Sequence, residues 1–320
     1  MNQEPDNNML IKVAQMYYDE NLTQQRIAQK LNMSRSLVSK MLIKARKKGI
    51  VEIVIHSEPT HPYKEIEDKL QKVLKLNYVR IVDNSESPQN NKVSVEAGIY
   101  LASQLPHCKN IIISAGRTTR EIAKNFVTTT SFSDVTFLPI SGGVGEMEWA
   151  IDSNIICAQM AQQCGGKYKQ IHAPIIVDSI EAKEILLEQS FIKEILEQSA
   201  KADMAVVGIG KEFQKEKMMQ TYLADKEEDY FENEDLIMGD FCYNYFDKNG
   251  KIVDCKWNRQ LIGLSLDQLR KIPEVVCIAE EPEKGENLYI AAKSGMITSM
   301  IIDIKVAKVI LKTYARDLFC

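Results

Sequence analysis

Thr23 to Gly49 reads TQQRIAQKLNMSRSLVSKMLIKARKKG, two helical patterns, one ending near Leu31 and the next starting near Arg35. A turn this short joins only two helices that cross steeply, which is a helix-turn-helix. Ser34 suits the N-cap of the second helix, because its hydroxyl can accept from a first-turn N–H that lacks an intrahelical partner. At about 100° per residue, Leu37, Val38, Met41, Leu42 and Ala45 share one side, and Arg35, Ser36, Ser39, Lys40, Lys44, Arg46 and Lys47 the other.

The charge of that second side predicts its partner. From Arg26 to Lys48 the chain has eight Lys or Arg and no Asp or Glu, inside a protein of formal charge -4. A DNA duplex carries one negative charge per roughly 1.7 Å of axis, and cations that displace its counterions supply most non-specific affinity. Recognition helices enter the major groove by their N-terminal residues, which places Arg35, Ser36, Ser39 and Lys40 against base edges. Thr23 and Gln24 at the start of the first helix, with Ser34, Lys44 and Lys47, complete the candidate contacts to double-stranded DNA. The other reading is a solvated helix hairpin whose lysine-rich end is favoured by the helix dipole.

Around this core, Asn8–Glu20 spaces Leu10, Val13, Ala14 and Tyr17 as a supporting helix. Gly49 fits a left-handed cap. Ile50–His56, rich in β-branched residues, reads as the strand of a wing, and Ser57–Pro62, with two prolines, reads as a domain boundary. Residues 1–57 are therefore expected to form a winged helix-turn-helix domain and residues 63–320 a larger one. Met1–His56 holds nine of the 40 basic and five of the 44 acidic residues, leaving 31 against 39 in the remainder. The two parts face different partners.

At 320 residues, 45% hydrophobic and 26% charged, the composition is that of a folded globular chain rather than a disordered or fibrous one. No apolar run reaches the roughly 18 residues needed to span a bilayer, and MNQEPDNN lacks the pattern of a signal peptide. The expected location is the cytoplasm, with no membrane contact. Seven cysteines without a C-x-x-C pair read as reduced structural thiols.

From Tyr63 onward helices and strands alternate. Helix 64–76 precedes strand 78–82, helix 92–104 strand 110–114, and helix 119–125 strand 135–139; Ile171–Val177 and Met204–Ile209 are further apolar runs. This alternation predicts crossover connections and a Rossmann-like, mostly parallel α/β sheet, whose ligands bind at the carboxyl ends of strands. In IIISAGRTTREIA, Gly116, Arg117, Thr118 and Thr119 sit where an apolar strand meets a helix. Free N–H groups, a guanidinium and hydroxyls suit a phosphate there; a Thr-capped helix with a solvated arginine would look the same. In LPISGGVG, Gly142 and Gly143 either wrap the same ligand or turn the chain. In MGDFCYNYFDKNGKIVD, Asp240 is a candidate acceptor for sugar hydroxyls and DKNG a hairpin turn.

The four histidines show no metal spacing, and no nucleophile elbow or Walker motif is present. No metal, cofactor or catalytic residue is expected. A sugar-phosphate isomerase or deaminase with an appended DNA-binding module would need a base and an acid on either side of a bound sugar, and no well-spaced pair stands out. A non-specific DNA-architectural protein is the third reading.

Residues 21–53, SAGRTT, LPISGGVG, IHAPIIVDS, GDFCYNYFDKNGKIVD and the segment from Gly263 to Leu311 together resemble the SorC family of bacterial transcriptional regulators over nearly the whole chain. The resemblance implies a winged helix-turn-helix joined to a domain of the sugar isomerase and deaminase fold, used as a sensor of a phosphorylated sugar. It implies a homo-oligomer, dimer or tetramer, more often a repressor of carbohydrate metabolism or uptake than an activator. Carried over by position, the effector contacts are Gly116 to Thr119, Ser141, Gly142, Gly143 and Lys284. Family members commonly carry an aromatic residue at the place of Ala115, two glycines at the places of Glu280 and Glu281, and in some a lysine at Ser141 that forms an imine with an open-chain sugar. Without that lysine a covalent mode is not expected, and carboxylates at 280 and 281 would repel a phosphate.

Overall fold

The computed structural model describes residues 7–20, 22–51, 61–84, 91–145, 150–211 and 230–318. The chain divides into two compact units, Met1–His61 and Pro62–Cys320. In the first, α1 (Asn7–Tyr18), α2 (Gln24–Lys30) and α3 (Arg35–Lys47) bury Leu10, Val13, Ile27, Ala28, Val38, Met41, Leu42 and Ala45 in one core. Each of the paired helices starts at a capped residue: Thr23 Oγ1 accepts from the Arg26 N–H at 3.3 Å and Ser34 Oγ from the Leu37 N–H at 3.2 Å. Asn32, at φ 51°, makes the turn between them, and Gly49, at φ 70°, follows α3.

Leu37 departs from its expected place. It is 41% exposed, because α1 and α2 meet α3 only along the seam Val38, Met41, Leu42 and Ala45, narrower than the five-residue face read from periodicity. Ile50 and Val51 pack against the small core without forming a strand. The rest of the expected wing, and residues 57–60 of the expected boundary, lie outside the described residues.

The second unit is built on a seven-stranded sheet. Its elements in chain order are α4 (Lys64–Leu74), β1 (Tyr78–Val82), α5 (Lys92–Gln104), β2 (Asn110–Ile113), α6 (Arg117–Asn125), β3 (Thr136–Pro139), α7 (Ser153–Cys164) and β4 (Lys167–Tyr168). There follow α8 (Ile180–Leu187), α9 (Ser190–Ser199), β5 (Met204–Val207), β6 (Gly239–Phe241), β7 (Asn244–Phe246), α10 (Lys256–Gln260), α11 (Leu266–Leu269), β8 (Glu274–Ala279), α12 (Gly285–Lys293), β9 (Ser299–Asp303) and α13 (Ile304–Asp317). The sheet order is β1-β9-β8-β5-β2-β3-β4 and every pairing in it is parallel. Strand side chains alternate between faces, so Ile112, Cys277 and Met300 enter one apolar cluster while Ile111, Ile113, Val276 and Ile301 enter the other. Burial on both faces is why these strands read as near-continuous apolar runs.

One expectation is corrected here. Among the described residues, Ile171–Val177 adds no strand to the sheet and makes only the isolated bridges Gly143↔Pro174 and Ile176↔Leu261. Pro174 lacks the N–H that a ladder needs, and the place beside β3 is taken by the two residues of β4. The hairpin of β6 and β7 is turned by Cys242 and Tyr243, and DKNG makes a hairpin turn as expected, closing the neighbouring antiparallel bridge Phe246↔Ile252.

Gly142 is fixed by close approach. A Cβ there would lie 2.4 Å from the Pro174 carbonyl oxygen and 2.7 Å from that of Ala173. Gly142→Ala is expected to destabilise the fold by about 1–3 kcal/mol, the usual cost of overpacking. A lower urea midpoint at constant m-value would show this; an unchanged midpoint would mean the Ala173–Pro174 backbone yields freely.

Candidate functional site

The chain steps from β2 to β3 and β4 on one side, and from β5 to β8 and β9 on the other, so the neighbours β2 and β5 flank the reversal of winding. Connections leave in opposite directions at such a point and open a crevice at the carboxyl ends of the strands. A cavity of about 240 Å³ lies there, lined by Ser114–Thr119 after β2, Gly208–Lys211 after β5, Glu280, Glu281 and Lys284 after β8, and Asp240, Cys242 and Tyr243 of the hairpin.

One wall offers hydrogen-bond donors. Gly116 N-caps α6 without a side chain to cap it, its own N–H donates to the Ile151 carbonyl at 2.9 Å, and the Arg120 N–H reaches back to the Gly116 carbonyl at 3.1 Å. The N–H groups of Arg117, Thr118 and Thr119 between them lack intrahelical acceptors, and the helix dipole adds partial positive charge. Gly116 has φ 139° and ψ 163°, a conformation essentially confined to glycine. Thr119 plays another part than expected: its side chain is buried and its hydroxyl lies 2.8 Å from the Ser114 carbonyl and 3.0 Å from that of Gly116, holding the loop. Arg117 is exposed and Thr118 half-buried. The Ser114 hydroxyl accepts from the Gly208 N–H at 3.2 Å and ties the β2 and β5 loops together.

The opposite wall is acidic. Glu280 accepts from the Ser94 hydroxyl at 3.0 Å; burial, the main cause, raises its carboxyl above the ordinary range against the lowering by Ser94 and Lys284. Lys284 and Lys211 both pair with Glu281, at 2.8 and 3.0 Å. Asp240 accepts from the Tyr243 N–H at 3.0 Å within a turn where Cys242 and Tyr243 have φ of 52° and 65°. Bulky residues rarely sit there. This turn is held from outside: Asn244 Nδ2 donates to the Cys242 carbonyl at 3.1 Å and to the Leu264 carbonyl at 3.0 Å, and Trp257 Nε1 to the Tyr243 carbonyl at 2.9 Å.

Gly116, Arg117, Thr118, Thr119, Asp240 and Lys284 thus come to one cavity, together with Glu280 and Glu281. Ser141, Gly142 and Gly143 do not line it. Ser141 and Gly143 form backbone bridges to Gly263 and Pro174, and the buried Ser141 side chain meets the backbone of Gly142. The loop Gly208-Ile209-Gly210-Lys211 was not among the sequence candidates, although an apolar strand followed by two glycines and a cation carries the same signal as SAGRTT. The six cysteines among the described residues are free. Burial raises their thiols, that of Cys277 to about 12, so they stay protonated structural groups.

In the small unit, Thr23, Ser34, Arg35, Ser36, Lys40 and Lys47 are exposed, and Gln24, Ser39 and Lys44 half-exposed. Exposed Leu37 joins this face, which periodicity alone assigned to the core. Arg46 is engaged with α1, its Nε and Nη2 donating to the Tyr18 hydroxyl at 3.0 and 2.8 Å.

The family model described as "Putative sugar-binding domain" matches residues 59–312, and that of "Sigma-70, region 4" matches residues 12–48. The chain belongs to the sugar-binding-domain family of SorC-type transcriptional regulators. This regulator is 26% identical to the transcriptional regulator LsrR of Enterobacter sp. (strain 638), over 95% of its own length and 92% of the relative's. A DeoR family transcriptional regulator from Listeria monocytogenes is 30% identical with a TM-score of 0.69, covering 77% of this chain and 98% of that one. The full-length sorbitol operon regulator SorC from Klebsiella pneumoniae shares the fold at a TM-score of 0.76 and 24% identity, over 97% of this chain and 100% of that one. A helix-turn-helix region thus precedes an α/β sugar-binding domain, and the chain is an effector-regulated transcriptional regulator. No helix among the described residues is long and apolar enough to cross a membrane.

Proposed function

We propose that residues 1–57 hold an operator half-site through the N-terminal part of α3 and that residues 63–320 bind a phosphorylated sugar or related metabolite in the cavity between the β2 and β5 loops. The observation that carries this is the side-chain-free N-terminus of α6, with Arg117 and Thr118 beside it, at the reversal point of the sheet. A phosphate there meets backbone N–H groups, a guanidinium and a hydroxyl. Asp240 and Glu280 accept hydrogen bonds from sugar hydroxyls at the other wall. The reading involves no catalytic step, cofactor or metal; it places the protein in the cytoplasm as a homo-oligomer, dimer or tetramer, repressing genes of carbohydrate uptake or metabolism. Two-fold pairing of the small domains then requires a pseudo-palindromic operator, and the effector must prefer one arrangement of subunits, or it cannot shift DNA affinity.

A thermal-shift screen of the full chain against sugar phosphates tests the reading, since a ligand at 100 times its dissociation constant adds about 2.7 kcal/mol of stability. A footprint on the DNA upstream of its own gene tests the other half. Stabilisation by one sugar phosphate and a protected pseudo-palindrome are the expected results. Turnover of glucosamine 6-phosphate or ribose 5-phosphate would instead make the chain an enzyme, and equal affinity for scrambled DNA an architectural protein.

A further inference from the structure

Among the described residues, three cationic side chains line the cavity, Arg117, Lys211 and Lys284, and one carboxylate pairs with two of them. Glu281 Oε1 lies 3.0 Å from Lys211 Nζ, and its Oε2 lies 2.8 Å from Lys284 Nζ. The side chains of Lys284, Lys211 and Glu281 are 13, 28 and 41% exposed, so the group is partly withdrawn from water and only partly screened by salt. Burial works to raise the Glu281 carboxyl, and the two ammoniums outweigh it and hold it ionised below the ordinary range. Beside it stands Glu280, bound by Ser94 at 3.0 Å and, with the Asn91 amide turned nitrogen-first, by Asn91 at 2.6 Å.

A second anion arriving at this wall would therefore find the lysines neutralised and further carboxylates around them. To meet it, both ammoniums would have to leave Glu281 with its charge unpaired in a half-buried place, the costly direction for any ion pair. Hydroxyl or amino groups face no such cost, since Glu280 and Asp240 are acceptors.

We propose that Glu281 is a specificity-determining internal counter-ion that makes the cavity accept a sugar monophosphate and refuse a sugar bisphosphate. Resting on the phosphosugar reading above, the single phosphate sits at the α6 N-terminus with Arg117, and the far end of the sugar presents hydrogen-bond donors to the acidic wall.

The test measures binding of glucose 6-phosphate, fructose 6-phosphate, glucosamine 6-phosphate, ribose 5-phosphate and fructose 1,6-bisphosphate to the full chain by calorimetry. The wild type is expected to bind at least one monophosphate more tightly than the bisphosphate. Glu281→Gln keeps the size of the side chain and removes the carboxylate charge that both lysines share, and bisphosphate binding is expected to tighten roughly tenfold to a hundredfold, the worth of one charge-assisted hydrogen bond. The gain should vanish when Lys211 and Lys284 are also made Gln, which separates a lysine contribution from mere loss of repulsion. Bisphosphate binding as tight as the best monophosphate in the wild type, no gain in E281Q, or a gain that survives the lysine changes overturns the role of Glu281 and leaves the phosphosugar reading standing. Binding of none of the five overturns both.

Discussion

Replacing Arg35 and Lys40 together with Ala is expected to abolish operator binding at physiological salt. Both side chains stand exposed on the first two turns of α3, where a recognition helix meets base edges and phosphates. An arginine that reads a base bidentately contributes about 1–3 kcal/mol of discrimination, and loss of a lysine–phosphate contact lowers the salt slope by about one. Neither residue belongs to the core of the small unit, which rests on Val38, Met41, Leu42 and Ala45, and the Ser34 cap that starts α3 is retained. The helix should stay folded, as circular dichroism would verify. Fluorescence anisotropy on DNA from upstream of the gene, across a salt series, gives affinity and slope together. If both were unchanged, α3 would not be the DNA-facing element.

Arg117→Ala with Thr118→Ala is expected to remove the effector response. A charge-assisted hydrogen bond contributes about 1.5–3 kcal/mol, so loss of the guanidinium alone should weaken an anionic effector roughly tenfold to a hundredfold. The loop itself is held by other groups: the Thr119 hydroxyl against the Ser114 and Gly116 carbonyls, and the Gly116 N–H on Ile151. The fold therefore does not depend on the two changed side chains. Loss of the ligand-induced rise in melting temperature, with a matching rise in the effector concentration needed to change DNA affinity, is the expected pair of results. A wild-type ligand shift in the double variant would exclude the α6 N-terminus as the anion-binding wall.

Much of the site was legible because its signals are local. An apolar strand followed by Gly116-Arg117-Thr118-Thr119 announces a helix N-terminus, and the structure places all four in one cavity. Gly142 carries a similar local signal for a different cause, the close approach of the Ala173 and Pro174 backbone, about thirty residues away in sequence, and Gly143 faces the Asp152 carboxylate. Thr119 shows the same limit within one loop: residue type suggested a ligand donor, and burial commits it to backbone carbonyls. Leu37 shows it for a helix face, since periodicity gives the apolar stripe but not how wide a neighbour covers it.

The sequence by itself determined the helix-turn-helix, through the apolar spacing of α3 and the Ser34 cap, and the α/β class, through strands alternating with helices. Those features rest on hydrogen bonds and side-chain periodicities within a few residues of each other. Only the tertiary structure decided that β2 and β5 are neighbours at the reversal of the sheet, and that Glu281 neutralises both Lys211 and Lys284. Strand order follows from burying two faces of one sheet at once, and the ion pairing from loops after different strands meeting at one edge, so neither is written in any single stretch of chain.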